Sequence, residues 1–177
     1  MSRIRITGGE WRSRLIQVTA APGLRPTPDR VRETLFNWLG QDLSGRSCLD
    51  LFAGSGILGF EAASRGADYV ALVESSRLAF AQLQKNAATL DCPRLALFCC
   101  DALKFAPPEA RRFDLIFLDP PYHQGWLERI LPRLDAWATP EALLYAEAEA
   151  PLTRLGRWSV SRQGRAGQVF FHLLEPT

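Results

Sequence analysis

From residue 47 to about residue 150, short apolar runs alternate with amphipathic stretches, and no other feature narrows the possible folds as much. The apolar runs are SCLDLF from Ser47, YVALVE from Tyr69, LALFCCD from Leu95, FDLIFLD from Phe113 and ALLYAEAE from Ala142. Between them, Ile57–Arg65, Arg77–Leu90 and Gly125–Trp137 carry a helical period, with Pro132 marking a kink or break in the last. Strands alternating with helices predict an α/β fold: a mainly parallel sheet with helices on both faces. The stretch RWSVSRQGRAGQVFFHLLE from Arg157 reads as two strands around a glycine-rich turn, an antiparallel hairpin at the end of the chain. Ligands of such sheets sit at the carboxyl ends of the strands. The motifs discussed below all fall at such ends.

At 177 residues the chain reads as one globular unit that can bury a core without metal or disulfide support. No apolar run approaches the roughly 20 residues that span a bilayer, and MSRIRITGGEW lacks the apolar core of a signal peptide. A cytoplasmic protein is therefore expected, with a monomer as the default. Cys48, Cys92, Cys99 and Cys100 form no CxxC pair and there are only two histidines, so buried free thiols are expected and a metal site is not.

Charge is unevenly placed. Residues 1–32 carry seven arginines (Arg3, Arg5, Arg12, Arg14, Arg25, Arg30, Arg32) against Glu10 and Asp29, which is +5, while the whole chain is only +2. A basic arm on a slightly acidic body fits a polyanionic partner, and it fits a solvated hairpin equally well. Within that arm, RIRIT-GGEW-RSRLIQV turns at Gly8-Gly9 and places Arg3 and Arg5 on one face, Ile4 and Ile6 on the other. Residues 1–24 thus form a basic β-hairpin and loop, and 25–177 form the α/β domain. Thr27 is placed to cap the following helix, with Pro28 at its first position.

LDLFAGSGILGFEAASRGA sets Gly54, Gly56 and Gly59 between the first strand and helix of the sheet, and Glu74 ends the next strand. The letters satisfy GxGxxG with an acid twenty residues on, so a nicotinamide or flavin enzyme is one reading. The underlying physics is broader: glycines let the backbone approach a ligand, and the carboxylate accepts from ribose hydroxyls. Asp50 divides the two, since an acid before the loop repels a pyrophosphate but attracts an amino group or a sulfonium. Asp101 follows the third strand, where it can accept from an adenine amino group. Each acid alone reads equally as a cap or strand terminator. Together, Asp50, Glu74 and Asp101 suit a cationic ligand with many donors, for which S-adenosylmethionine is a better fit than NAD.

The fourth strand ends in Asp119-Pro120-Pro121-Tyr122. Proline lacks an N–H and holds φ near −65°, so this corner presents acceptors in a stiff frame. Acceptors aimed at one point suit an exocyclic amine of a base, and Tyr122 offers a face for stacking, worth about 1–3 kcal/mol. An aromatic amine is a weak nucleophile, and hydrogen bonds from its two protons to Asp119 and a carbonyl near Pro120 localise its lone pair. Positioning then outweighs base strength, so no strong general base is required.

With these residues in place, the chain resembles the amino-methylating S-adenosylmethionine-dependent methyltransferases, and more closely the RsmD family. The resemblance rests on RITGGEWRSR, GLRPTPDRVRETLFNWL, the glycine loop, DPPY and the late AGQV. GLRPTPDRVRETLFNWL is the most family-specific segment; DPPY alone is shared with DNA adenine and protein glutamine methyltransferases. The resemblance implies a Rossmann-like class I methyltransferase with a mostly parallel seven-stranded sheet, its last strand inserted antiparallel. It implies methylation of a guanine N2 amine of small-subunit (16S) ribosomal RNA, of the guanine 966 type, in a partly assembled particle. DNA adenine-N6 methylation is the alternative that DPPY leaves open. By the same resemblance, Asp50, Phe52, Ala53, Gly54, Ser55 and Gly56 cradle the methionine part of the cofactor, Glu74 and Ser75 the ribose, and Asp101, Ala102 and Leu103 the adenine. Arg25 and Thr27 close over it, Asp119 to Tyr122 take the base, and Arg3, Arg5, Arg12 and Arg14 grip RNA. Ser76 stands where the family often has an acid, which implies weaker support behind the ribose contact.

Overall fold

The computed structural model describes residues 2–19 and 26–177. Strands β1 (Ser2–Arg5) and β2 (Leu15–Val18) pair antiparallel, with Arg3 opposite Gln17 and Ile4 opposite Ile16. Helix α1 (Asp29–Leu39) follows. The sheet is then built by β3 (Ser47–Asp50), α2 (Ile57–Ser64), β4 (Tyr69–Val73), α3 (Arg77–Leu90), β5 (Leu95–Phe98) and β6 (Phe113–Leu118). Helix α4 (Trp126–Trp137), β7 (Ala138–Ala148), β8 (Arg154–Leu155), β9 (Trp158–Ala166) and β10 (Val169–Pro176) complete it.

Strand order is β5-β4-β3-β6-β7-β10-β9-β8. The first five are parallel, and β10 is inserted antiparallel between β7 and β9. Seven of these are the expected strands; the eighth, β8, is a two-residue edge pairing with β9. Alternation decides the layers. In β6, Leu115 and Phe117 face a core shared with the hairpin, α1, α2 and α3, whereas Ile116 and Leu118 face a second core with Ile130, Leu134 and Trp137 of α4. A strand covered on both sides has no polar face to expose, hence the apolar run from Leu115 to Leu118. Pro132 lies inside α4 without ending it.

The hairpin is docked against α2. Glu10 N–H donates to the Ser64 carbonyl at 2.7 Å and Trp11 N–H to the Ser64 hydroxyl at 2.9 Å. At Gly9, φ is 78° and a Cβ would lie 2.1 Å from the Ser64 carbonyl oxygen, so only glycine fits there. Beneath this contact Glu61, fully buried, accepts from Arg32 Nε (2.9 Å), Arg65 Nη1 (2.7 Å) and the Thr7 N–H (3.0 Å) and hydroxyl (2.9 Å). Arg32 is itself fully buried, so it belongs to the interior and not to the basic surface that the sequence assigned it to. Only Cys48 of the four cysteines is fully buried; Cys92 and Cys100 are half-buried and Cys99 is exposed, against the expectation of four buried thiols. No helix among the described residues is long and apolar enough to cross a membrane.

Candidate active site

Parallel register brings the acids together. Asp50 lies level with Leu72 of β4 and Phe117 of β6. Glu74 and Asp119 therefore rise one step beyond it, so Asp50 forms the floor and the other two the rim. Asp50 Oδ2 accepts from the Gly59 N–H at 3.0 Å, while Oδ1, fully buried, has no partner among the described residues. Burial pushes its pKa up to about 7, lowered in part by the Gly59 bond and raised further by Glu74. An orphaned buried oxygen on a reluctant anion calls for a cation or a donor. Glu74 is held by the N–H groups of Gly54 (2.8 Å) and Ser76 (2.7 Å), one to each oxygen. Ser76 thus supports Glu74 through its backbone, and its hydroxyl caps α3 by accepting from Ala79. A serine in place of an acid there does not leave the Glu74 carboxylate unsupported.

Gly54 and Gly56 lie in the turn between β3 and α2, whereas Gly59, expected with them, lies inside α2. Gly56, at φ 90°, precedes α2, and a Cβ would meet Leu83 at 2.5 Å and Phe60 at 2.6 Å. Ala53 N–H donates to the Val73 carbonyl (2.8 Å), the Ser55 hydroxyl accepts from Ile57 N–H (3.4 Å), and Phe52 packs edge-on against Trp126 at 5.3 Å. Asp101 Oδ1 accepts from Leu103 N–H (2.7 Å), the capping role weighed above, which sets the turn carrying Ala102 and Leu103. Ser75 is exposed at the rim.

At the corner after β6, Pro120 is buried and Pro121 exposed, and Tyr122 is 37% exposed. Thr27 does not cap α1: Pro28 occupies the cap position, the helix starts at Asp29, and there is no side-chain cap bond. Its hydroxyl lies instead 3.2 Å from Asp119 Oδ2 and 3.0 Å from Glu147 Oε2. The cause is Arg32, whose guanidinium binds the Thr27 carbonyl and so draws the residue inward, away from the helix end. Arg25 lies outside the described residues.

Glu147 is the residue that sequence reading missed. Phe117 pairs with Tyr145 and Leu118 with Ala146, which sets Glu147 beside Asp119. Burial, the nearby Glu147 and Asp50, and contact with Glu147 hold the Asp119 carboxyl well above its ordinary range. Burial also raises Glu147, against lowering by its hydrogen-bonded neighbours. The available signal was two acids at the end of an otherwise apolar run, but register is needed to say which of them faces Asp119.

Arg3, Arg5, Arg12 and Arg14 are all exposed on the hairpin. Arg14 donates to the Thr89 carbonyl (2.9 Å) and Arg5 sits 3.4 Å from Asp29. Among the described residues, Arg3 and Arg12 have no side-chain partner.

A five-stranded parallel sheet with an antiparallel insertion, a glycine turn after its central strand and acids at four successive strand ends defines a class I methyltransferase fold. The family model described as Conserved hypothetical protein 95 matches residues 4–175. Ribosomal RNA small subunit methyltransferase D of Escherichia coli K12 is 43% identical over 98% of this chain and 90% of its own length. The Haemophilus influenzae protein of the same name is 41% identical over 97% and 93%. The solved structure of yhhF from Escherichia coli superposes with a TM-score of 0.88, at 44% identity, covering 99% of this chain and 98% of that one. The chain belongs to this family, the RsmD family of methyltransferases.

Proposed function

We propose that the protein methylates the exocyclic N2 amine of a guanine, of the guanine 966 type, in small-subunit ribosomal RNA, with S-adenosylmethionine as cofactor. One observation carries the reading: the orphaned, buried Asp50 carboxylate lies at the floor of the same strand-end cleft whose rim holds Asp119 and Tyr122. A site for a cationic nucleoside and a stiff acceptor corner for a base are thereby side by side. The names of the relatives supply RNA as substrate class, and the family resemblance supplies guanine N2.

The donor set fits the cofactor. Asp50 faces positive charge, Glu74 keeps free lone pairs for ribose hydroxyls after accepting two N–H groups, and the Asp101–Leu103 turn borders the adenine. When bound, S-adenosylmethionine supplies an electrophilic methyl group on a sulfonium. The remaining chemistry belongs to the protein. Asp119 and a carbonyl near Pro120 accept from the amine, a contact worth about 3 kcal/mol where charge develops. Tyr122 stacks on the flipped base. Holding the reactants in line contributes about 7–11 kcal/mol, so geometry carries most of the acceleration.

Radiolabelled methyl transfer to free small-subunit RNA, partly assembled subunit and DNA, assayed side by side, tests this reading. Recovery of N2-methylguanine from RNA supports it, and N6-methyladenine or labelled DNA overturns it.

Two expectations attach to named residues. A carboxyl raised to about 7 in the folded protein binds its proton more tightly there than in the unfolded chain. Its contribution to cofactor-free stability is therefore fully present below the ordinary 3.8 and lost as pH rises to about 7. A cationic ligand needs the ionised form, so affinity measured by calorimetry should fall about tenfold per pH unit below that pKa, and Asp50→Asn should bind weakly with a flat profile. On the hairpin, Arg3→Ala and Arg12→Ala should each reduce the salt slope of RNA affinity by about 0.7–0.9 while leaving cofactor affinity unchanged. Equal losses of both affinities would refute that separation.

A further inference from the structure

The Thr27 hydroxyl has one proton and two carboxyl neighbours, Glu147 Oε2 at 3.0 Å and Asp119 Oδ2 at 3.2 Å. It can donate to only one of them. The other contact becomes a full hydrogen bond when that carboxyl is itself protonated and donates back to the Thr27 oxygen. Two ionised carboxylates converging on one donor in a buried site repel instead. Among the described residues, the titratable groups around the pair are Asp50 at the end of β3, Tyr122 after β6, Tyr145 on β7 and Glu149 just beyond it, and the guanidinium that approaches, Arg32 of α1, is bound to the Thr27 carbonyl and paired with Glu61. His123 approaches Glu149, at 3.8 Å. At the same corner Tyr145 is fully buried, and burial together with the nearby Glu147 and Asp119 raises the pKa of its hydroxyl. Burial and mutual repulsion shift Asp119 upward, and burial shifts Glu147 the same way.

We propose that Asp119 and Glu147, bridged by the Thr27 hydroxyl, share one proton and one negative charge, and that Glu147 is a positioning residue that sets the protonation of Asp119. The inference rests on the function proposed above only for the identity of the amine. As the bond from nitrogen to the methyl carbon forms, the carbon–sulfur bond of a bound sulfonium donor would break with its pair left on sulfur as a neutral thioether; the amine becomes cationic and must shed one N–H proton to end as a neutral secondary amine. That N–H bond breaks with its electron pair left on nitrogen, and an O–H bond forms on the pair. The pair, then neutral, returns one proton to water before the next turnover. A doubly protonated pair has nothing with which to take the proton; a doubly ionised one cannot keep its geometry.

The test begins without RNA or cofactor. In an Asp50→Asn background, which removes the other raised carboxyl, infrared spectra near neutral pH should show a protonated carboxyl band that Glu147→Gln abolishes. In the wild-type protein, which requires no variant to fold, 13C-labelled carboxyl resonances of the pair should titrate in two coupled steps above the ordinary range. Absence of the band, or a single ordinary titration step, overturns the proposal whatever the enzyme methylates. In single-turnover assays the wild type should give a bell-shaped pH profile. Glu147→Gln should lose the alkaline limb and about tenfold or more in rate, with little change in KM for RNA. A variant profile that is uniformly lower but otherwise identical reduces Glu147 to a structural residue and overturns its assigned role. Failure to methylate any RNA would defeat the functional reading and leave the spectroscopic test standing.

Discussion

Asp119→Ala is expected to lower methyl transfer to RNA by at least about a hundredfold, the rate equivalent of the roughly 3 kcal/mol that one acceptor contributes at a developing charge. The fold should survive, because the substitution removes a carboxyl whose ionised form is disfavoured by its burial and by the neighbouring acids. Thermal unfolding is therefore expected at an unchanged or higher temperature, and cofactor affinity should fall by less than about tenfold. Asp119→Asn keeps an acceptor oxygen at the same place and should retain more activity than the alanine variant. The readout is labelled methyl incorporation into RNA with calorimetry of the cofactor alongside. Activity of Asp119→Ala within tenfold of wild type would remove Asp119 from the centre of the mechanism.

Glu61→Ala should be the most destabilising single substitution in the N-terminal half. It strands Arg32 and Arg65, both buried, without their shared carboxylate, and breaking a buried ionic node in this way costs about 3–5 kcal/mol. For a chain of this size that lowers Tm by about 10 °C or more. The damage should reach the active site, because Arg32 also holds the Thr27 carbonyl and Thr27 bridges the acid pair. The buried ionic network on α1 and α2 is thus mechanically joined to the corner after β6. Unfolding by calorimetry checks the first effect; a fall in kcat exceeding the loss of folded protein checks the second. A Tm within 3 °C of wild type would mean that the node is dispensable.

The elements of the sheet were legible because periodicity is a local property. Strands buried on both faces must be apolar throughout, and β3, β4 and β6 announce themselves as such runs. DPPY and the glycine loop were legible for a related reason: proline and glycine restrict the backbone within a few residues, so their consequences travel with them. Thr27 shows where local reasoning fails. A threonine before a proline and an aspartate is a sound helix cap by propensity, yet a guanidinium from the next turn of α1 draws it toward two carboxyls distant in sequence. Arg32 misleads in the same way, reading as one more surface arginine until the buried Glu61 is known. The cysteines misled too, since a thiol's burial depends on which edge its strand occupies, and β5, which precedes Cys99 and Cys100, is the outermost strand.

Chain order alone therefore specified the layered α/β class, the glycine turn after β3 and the proline corner after β6, since each follows from interactions among residues close in sequence. The pairing of Asp119 with Glu147, the use of Thr27 to bridge them and the burial of Arg32 came only with the folded chain. They depend on strand register and on contacts spanning 92 and 120 residues, distances over which no pattern of neighbours carries information. Electrostatic energy in a dry interior is set by separation in space, and that separation exists only once the sheet has closed.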